Sequence, residues 1–215
     1  MIISFGSIKG GVGKTTIAAH LAVYMLTKGI PFVLVRADSN RDLDDWIAAR
    51  ESANQPPIPV YHTDGNIKKT LSKINADVVL IDVAGHESVE LKSAIAASDI
   101  FVTPVCPSSL LEVSTMYGIS VMVRDYQKIN PNVQAFTLLN QCSTDARNND
   151  AREFVEYLNS DENWLQPLKT RISDIKAYRN SINRGLGIHE MKRCYNLSTA
   201  KAQIELLAAE LGIAK

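Results

Sequence analysis

Three cysteines in 215 residues, Cys106, Cys142 and Cys194, are too few and too widely separated for a disulfide framework or a zinc site. Each is expected to be a small buried apolar residue in a reducing compartment. The four histidines are equally scattered and suggest no metal site. No apolar run approaches the ~20 residues of a membrane span, and no signal peptide precedes the first strand, so a cytoplasmic protein is expected. Repeats, low-complexity tracts and domain-breaking linkers are also missing, which leaves one domain over 1–215, long enough for a substantial core. Net charge is zero, with 23 Lys and Arg against 23 Asp and Glu, but it is unevenly spread. From Leu165 onward, nine basic residues face four acidic ones. Such a bias fits a polyanion-binding surface, although a solvated helix face is its commoner meaning.

The informative segment is the first, MIISFGSIKGGVGKTT. It reads as an apolar strand, Ile2–Phe5, a glycine-rich turn, and the apolar repeat of a helix that starts near Lys14. An ordinary phosphate-binding loop is Gly-x-x-x-x-Gly-Lys-Ser/Thr. Counting back from Gly13, its first glycine would fall at residue 8, which is Ile8. The turn instead runs Lys9-Gly10-Gly11-Val12-Gly13-Lys14-Thr15-Thr16, with two lysines. Glycines let backbone amides approach phosphate oxygens closely, and a helix N-terminus adds unpaired N–H groups and a positive dipole end. Lys14 is expected to reach the β and γ phosphates of a nucleotide, and the Thr15 hydroxyl to ligate Mg²⁺.

Strand signals alternate with helical stretches along the chain, the pattern of a parallel sheet with helices on both faces. The first helix carries Ile17, Leu21, Tyr24 and Met25 on one face and stops at Lys28-Gly29, where glycine suits a left-handed cap. Phe32–Val35 and Val78–Ile81 are short apolar runs typical of doubly buried strands. Asp42–Arg50 reads as a helix with Leu43, Trp46 and Ile47 inward. Pro56, Pro57 and Pro59 mark an extended connection to a weak strand at Val60-Tyr61. Further strands are expected at Ile100–Thr103 and Val133–Leu139. Asp150 and Glu153 have capping-box spacing ahead of Leu158. Ser198–Leu211 reads as a helix with Ile204, Leu207, Ala208 and Leu211 on one stripe. Asp82 ends the Val78–Ile81 strand, where open α/β sheets bind ligands, and is placed to hold Mg²⁺ through water. Asp38, Ser39 or Asn40 could cap the next helix. Asn140-Gln141 ends the late strand, and no Asn-Lys-x-Asp guanine reader is found.

The octet from Lys9 to Thr16 resembles the deviant Walker A motif of the ParA/MinD family of P-loop ATPases. The similarity extends along most of the chain, toward small plasmid-partition ParA proteins of the ParF kind. The resemblance implies a doubly wound α/β P-loop NTPase fold that binds ATP and Mg²⁺. It makes Lys9 the signature lysine that crosses a nucleotide-sandwich homodimer to the other subunit's phosphates. It makes Asp38 the second aspartate of the Walker A′ motif, orienting the attacking water and supporting the metal with Thr15 and Asp82. Gly85 falls at switch II, where a backbone N–H senses the γ-phosphate, and Asn140 at the adenine contact. Lys9, Lys14 and Asp38 are thus the expected catalytic set. One departure stands out: Arg36 occupies the first Walker A′ aspartate, Ser39 the proline and Asn40 the glutamine.

In that family the stretch Asp99–Ser109 belongs to the dimer face. Lys176, Arg179, Arg184, Lys192 and Arg193 align approximately with a region that contacts DNA backbone. The implied function is a DNA-partition motor with slow ATP hydrolysis, stimulated by a centromere-bound ParB/ParG-like partner. It would be cytoplasmic and nucleoid-associated when ATP-bound. A first strand at Ile2 leaves no room for an N-terminal helix-turn-helix. The alternative is a MinD-like membrane-surface positioning ATPase, which needs an amphipathic basic tail. The last helix, with Glu205, Glu210 and mostly alanine and leucine, reads instead as packed, so no stable membrane association is expected.

Overall fold

In the computed structural model, which describes residues 1–37, 40–63, 66–107 and 111–213, strands and helices alternate from Ile2 to Asn159, and helical segments alone follow. The strands are β1 (Ile2–Phe5), β2 (Phe32–Ala37), β3 (Val60–His62), β4 (Val78–Val83), β5 (Ile100–Val105) and β6 (Gln134–Leu139). They form one parallel sheet in the order β3-β2-β4-β1-β5-β6. The helices are α1 (Lys14–Lys28), α2 (Asp42–Ser52), α3 (Ile67–Leu71), α4 (Val89–Ala97), α5 (Leu111–Gln127), α6 (Asp150–Asn159), α7 (Lys176–Ile182) and α8 (Leu197–Glu210). A 3₁₀ turn spans Ile188–Glu190.

The period-two geometry of a strand explains why the central runs are apolar throughout. In β4, Val78 and Leu80 enter one core with β1, α1, α2, α7 and α8 residues. Val79, Ile81 and Val83 point the other way, into a core with residues of α4, α5 and α6. Both faces are covered, so neither set of positions can be polar. The expected doubly wound fold is therefore observed.

Several local expectations hold with small shifts. Gly29 takes φ 67°, and the N–H groups of Gly29 and Ile30 bond the Leu26 and Met25 carbonyls, closing α1. Strand β2 runs two residues past Val35, through Arg36 and Ala37. Ile47 is half-buried, whereas Leu43 and Trp46 are fully covered. The capping box at Asp150 does not form: Asn149 is the cap residue, with no side-chain cap bond. The Asp150 carboxylate instead accepts from Asn148 Nδ2, while Asn148 Oδ1 takes the Asp150 N–H. Cys142 is buried, and burial pushes its thiol up to about 11. Cys106 and Cys194 are half-exposed, contrary to expectation: Cys106 directly follows β5, and Cys194 lies in the connection between the 3₁₀ turn and α8.

A buried ion pair, not signalled by local sequence, closes one side. Arg50 on α2 is 1% exposed and binds Glu190 through two bonds, Nη1 to Oε2 at 2.8 Å and Nη2 to Oε1 at 2.7 Å. Its Nε donates to the Pro56 carbonyl at 2.8 Å, and Nη1 also to Gly185 O. Gly185 has φ 67°, and a Cβ there would sit 2.2 Å from Arg50 N, so the crossing requires glycine. Arg50→Ala would strand the Glu190 carboxylate and should cost about 3–5 kcal/mol in urea unfolding.

His20 on α1 is wholly buried, and its Nδ1 accepts from the Ile188 N–H at 3.1 Å. Burial, and secondarily the neighbouring His189, lower its pKa from 6.5 to about 3. Below pH 6.5 the unfolded chain takes up a proton that the native ring refuses. Its contribution is therefore complete above 6.5 and is lost as pH falls toward 3, at up to about 1.4 kcal/mol per pH unit. Replacing the ring, as in His20→Asn, should flatten the pH dependence of unfolding free energy in this window.

Candidate nucleotide site

The site grows from the carboxyl end of β1. The parallel register sets Phe5 opposite Asp82, so the loop leaving β1 starts beside the carboxylate that is next to last in β4. The loop then turns with Gly11 at φ 76° and Gly13 at φ 90°, angles open to glycine. Gly13 caps α1 without any side-chain bond to the first-turn amides, which leaves those N–H groups for a ligand. Lys14 is 6% exposed, and its Nζ donates to Ser7 Oγ at 3.3 Å. Ser7, fully buried, in turn donates to the Lys9 carbonyl at 2.5 Å.

Two other strand ends press on this loop. Gly85 follows β4, and a Cβ there would lie 2.8 Å from Lys14 Nζ and 2.9 Å from Gly10 Cα. From β6, Asn140 Nδ2 donates to the Val12 carbonyl at 2.7 Å, and Gln141 Nε2 donates to Gly11 O at 3.1 Å. The expected adenine-contacting asparagine thus has its amide on the loop itself. A hollow of about 220 Å³ lies among Gly10, Lys14, Thr15, Asn40, Asp42 and Gly85. A neighbouring one of about 360 Å³ opens between Thr16, Asn140, Ile175, Tyr178 and Arg179. The first offers amides and an ammonium, the second a largely apolar wall. Together they suit a phosphate chain and a flat base.

The donor set also fits magnesium. Among the described residues no three His, Cys, Asp or Glu side chains converge into a cation cage. Mg²⁺ needs less, since it is usually held by one or two protein oxygens with phosphates and water. Thr15 lines the smaller hollow together with Asp42, and Asp82, 1% exposed, lies beside the base of the loop, opposite Phe5. Asp38 and Ser39 lie outside the described residues.

Arg36, the departure from the Walker A′ pattern, is engaged on three sides. Its Nε and Nη2 donate to the Asn40 carbonyl at 3.2 and 2.9 Å. Its Nη1 pairs with Asp44 at 2.9 Å and contacts His62 Nδ1 at 3.2 Å. The arginine ties the loop that leaves β2 to α2 and β3.

Lys9 is partnered too. Its ammonium pairs with Glu112 in the first turn of α5, and that bond holds its pKa above the ordinary lysine value. Sequence reasoning assigned no role to Glu112, Ser7 or Gln141, because each acts through a neighbour distant in sequence or outside the motif. Ser7, inside the strand-to-loop junction, was the most findable. The five expected DNA residues are all exposed: Lys176 and Arg179 on α7, Arg184 just after it, Lys192 and Arg193 ahead of α8. Arg179 also pairs with Asp174 at 3.5 Å and lines the larger hollow. The far end of the Asp99–Ser109 stretch lies outside the described residues.

A methyl group at position 85 would collide with Lys14 and Gly10. Gly85→Ala should therefore weaken binding of a fluorescent adenine nucleotide at least tenfold (~1.4 kcal/mol) while leaving the far-UV circular dichroism unchanged.

Known proteins resemble this chain in sequence and fold. Residues 3–186 match the family described as the CobQ/CobB/MinD/ParA nucleotide binding domain. The chain is 24% identical over 193 residues to the protein ParA of Rhizobium radiobacter, covering 89% of this chain and 86% of that protein. It is 26% identical over 194 residues to the maintenance of carboxysome distribution protein A of Halothiobacillus neapolitanus, covering 88% and 87%. Among solved structures, a plasmid partition protein from Borrelia burgdorferi bound to AMPPNP superposes with a TM-score of 0.70 at 18% identity, over 97% and 98% of the two chains. That likeness is one of fold. With a match over most of its length and the phosphate loop in place at the end of β1, the chain belongs to the CobQ/CobB/MinD/ParA family of nucleotide-binding domains.

Proposed function

We propose that the chain is an ATPase of the ParA/MinD kind that partitions DNA, pairing as a nucleotide sandwich when it holds Mg-ATP. The observation that carries this reading is the unequal placement of its two loop lysines. Lys14 is 6% exposed and turned onto its own loop, whereas the Lys9 side chain is 45% exposed at the loop's rim. One ammonium serves the subunit's own phosphates, and the other, paired with Glu112 while the subunit is alone, turns to those of a second copy. The plasmid partition protein that shares its fold supports the same reading.

The reaction is phosphoryl transfer to water. Catalysis here is positioning and charge stabilisation. Lys14 and the first-turn amides of α1 neutralise charge on the phosphates, Lys9 adds a cation from the partner, and Asp38 orients the attacking water. Thr15 and Asp82 would hold Mg²⁺, which would screen the charge of the phosphates. Gly85, packed on Lys14, couples the occupied loop to the segment after β4. The paired form binds duplex DNA without sequence preference through exposed lysines and arginines such as Lys176, Arg184, Lys192 and Arg193, and a centromere-bound protein stimulates hydrolysis and release. The relative that distributes carboxysomes matches over as much of the chain, so the cargo follows from the partner protein.

Sedimentation with ATP or ADP, with and without duplex DNA, tests this directly. ATP should give dimers that retain DNA, and ADP monomers that do not. DNA retention should fall steeply with added salt. Lys14→Ala should abolish every nucleotide response. Lys9→Ala should keep ADP binding and lose ATP-driven pairing. Recovery on anionic liposomes but not on DNA would favour a membrane-surface ATPase instead.

A further inference from the structure

The partner of Lys9 in the single subunit is unusual. Glu112 is 2% exposed, yet it is a carboxylate in the first turn of α5, reached by an ammonium from a loop 103 residues away in sequence. One of its oxygens takes Lys9 Nζ. The other, Oε2, is buried with no hydrogen-bond partner among the described residues. A buried carboxylate held by one cation depends on that cation. Removing Lys9 would leave the charge without its compensating partner in a place where water cannot replace it. The helix dipole of α5 offsets part of this cost, since Glu112 sits at its positive end.

We infer that Glu112 is a positioning residue that anchors Lys9 within its own subunit and so sets the threshold for ATP-driven pairing. This rests on the reading of Lys9 as the lysine that reaches the partner's phosphates. To cross, Lys9 must abandon Glu112, and the triphosphate of the second subunit must offset the lost bond. A diphosphate offers less negative charge at the crossing point. The anchor therefore discriminates between ATP and ADP at the pairing step, in addition to any discrimination within the phosphate loop. It also holds an exposed lysine away from adventitious anions while the subunit is alone.

Glu112→Gln keeps the shape and removes the charge. In analytical ultracentrifugation its ATP-bound dimer should be at least tenfold tighter than the unsubstituted protein's, and measurable pairing should appear with ADP. Without nucleotide, reductive methylation read by mass spectrometry should modify Lys9 several-fold faster in Glu112→Gln, with the rates of other lysines unchanged. If Glu112→Gln fails to fold, Glu112→Asp, with a shorter reach, should show the same two changes in weaker form. Pairing equal to that of the unsubstituted protein, or unchanged Lys9 labelling, would overturn the anchor. So would weakened pairing like that of Lys9→Ala, because Glu112 would then be supporting the crossed lysine. The two readings fail separately: if Lys9→Ala pairs normally, the crossing role itself is wrong, whatever Glu112 does.

Discussion

The parallel pairing of β1 with β4 is the constraint on which the site depends. Neither strand carries the whole chemistry: β1 delivers the phosphate loop, and β4 delivers Asp82 and, three residues later, Gly85. Their register puts Phe5 beside Asp82 and lets Gly85 pack against Gly10 and the Lys14 ammonium. A one-residue slip would turn the β4 side chains to the opposite layers and exchange Asp82 for an apolar neighbour. Because the two faces of β4 feed two separate cores, that slip is opposed by everything packed above and below the sheet.

Around this pair the molecule treats like charges differently. Lys14 is packed inward and held by Ser7, while Lys9 reaches outward to a buried carboxylate on α5. Arg36, the departure from the expected Walker A′ pattern, lies one strand over from Asp82 and in register with it. Its guanidinium is directed to Asn40, Asp44 and His62, so the positive charge is spent on holding the loop after β2. The replacement therefore reads as a structural brace for that loop. Asn140 and Gln141 do comparable work from the end of β6, fastening the Val12 and Gly11 carbonyls of the phosphate loop.

Much was legible without coordinates, for definite reasons. Val78–Ile81 announced a doubly buried strand because both of its faces are apolar, and Gly29 announced a helix end because few other residues accept its backbone angles. The Lys9–Thr16 octet was readable because phosphate binding is done there by contiguous backbone. Other features resisted. The capping box at Asp150 failed because Asn148 and Asp150 satisfy one another locally. The half-exposure of Cys106 and Cys194 follows from which connections meet solvent, and spacing along the chain carries no such information.

What the chain determined by itself was therefore whatever is written in contiguous residues: the alternation of strand and helix, the glycine turn, and the carboxylate ending an apolar strand. These arise from backbone geometry and local burial, which act over a few positions. Only the tertiary structure decided the pairings across long separations: Lys9 with Glu112, Arg50 with Glu190, Asn140 with Val12. Ion pairs and side-chain hydrogen bonds form wherever packing brings their partners together, and no period or motif in the chain records where that will be.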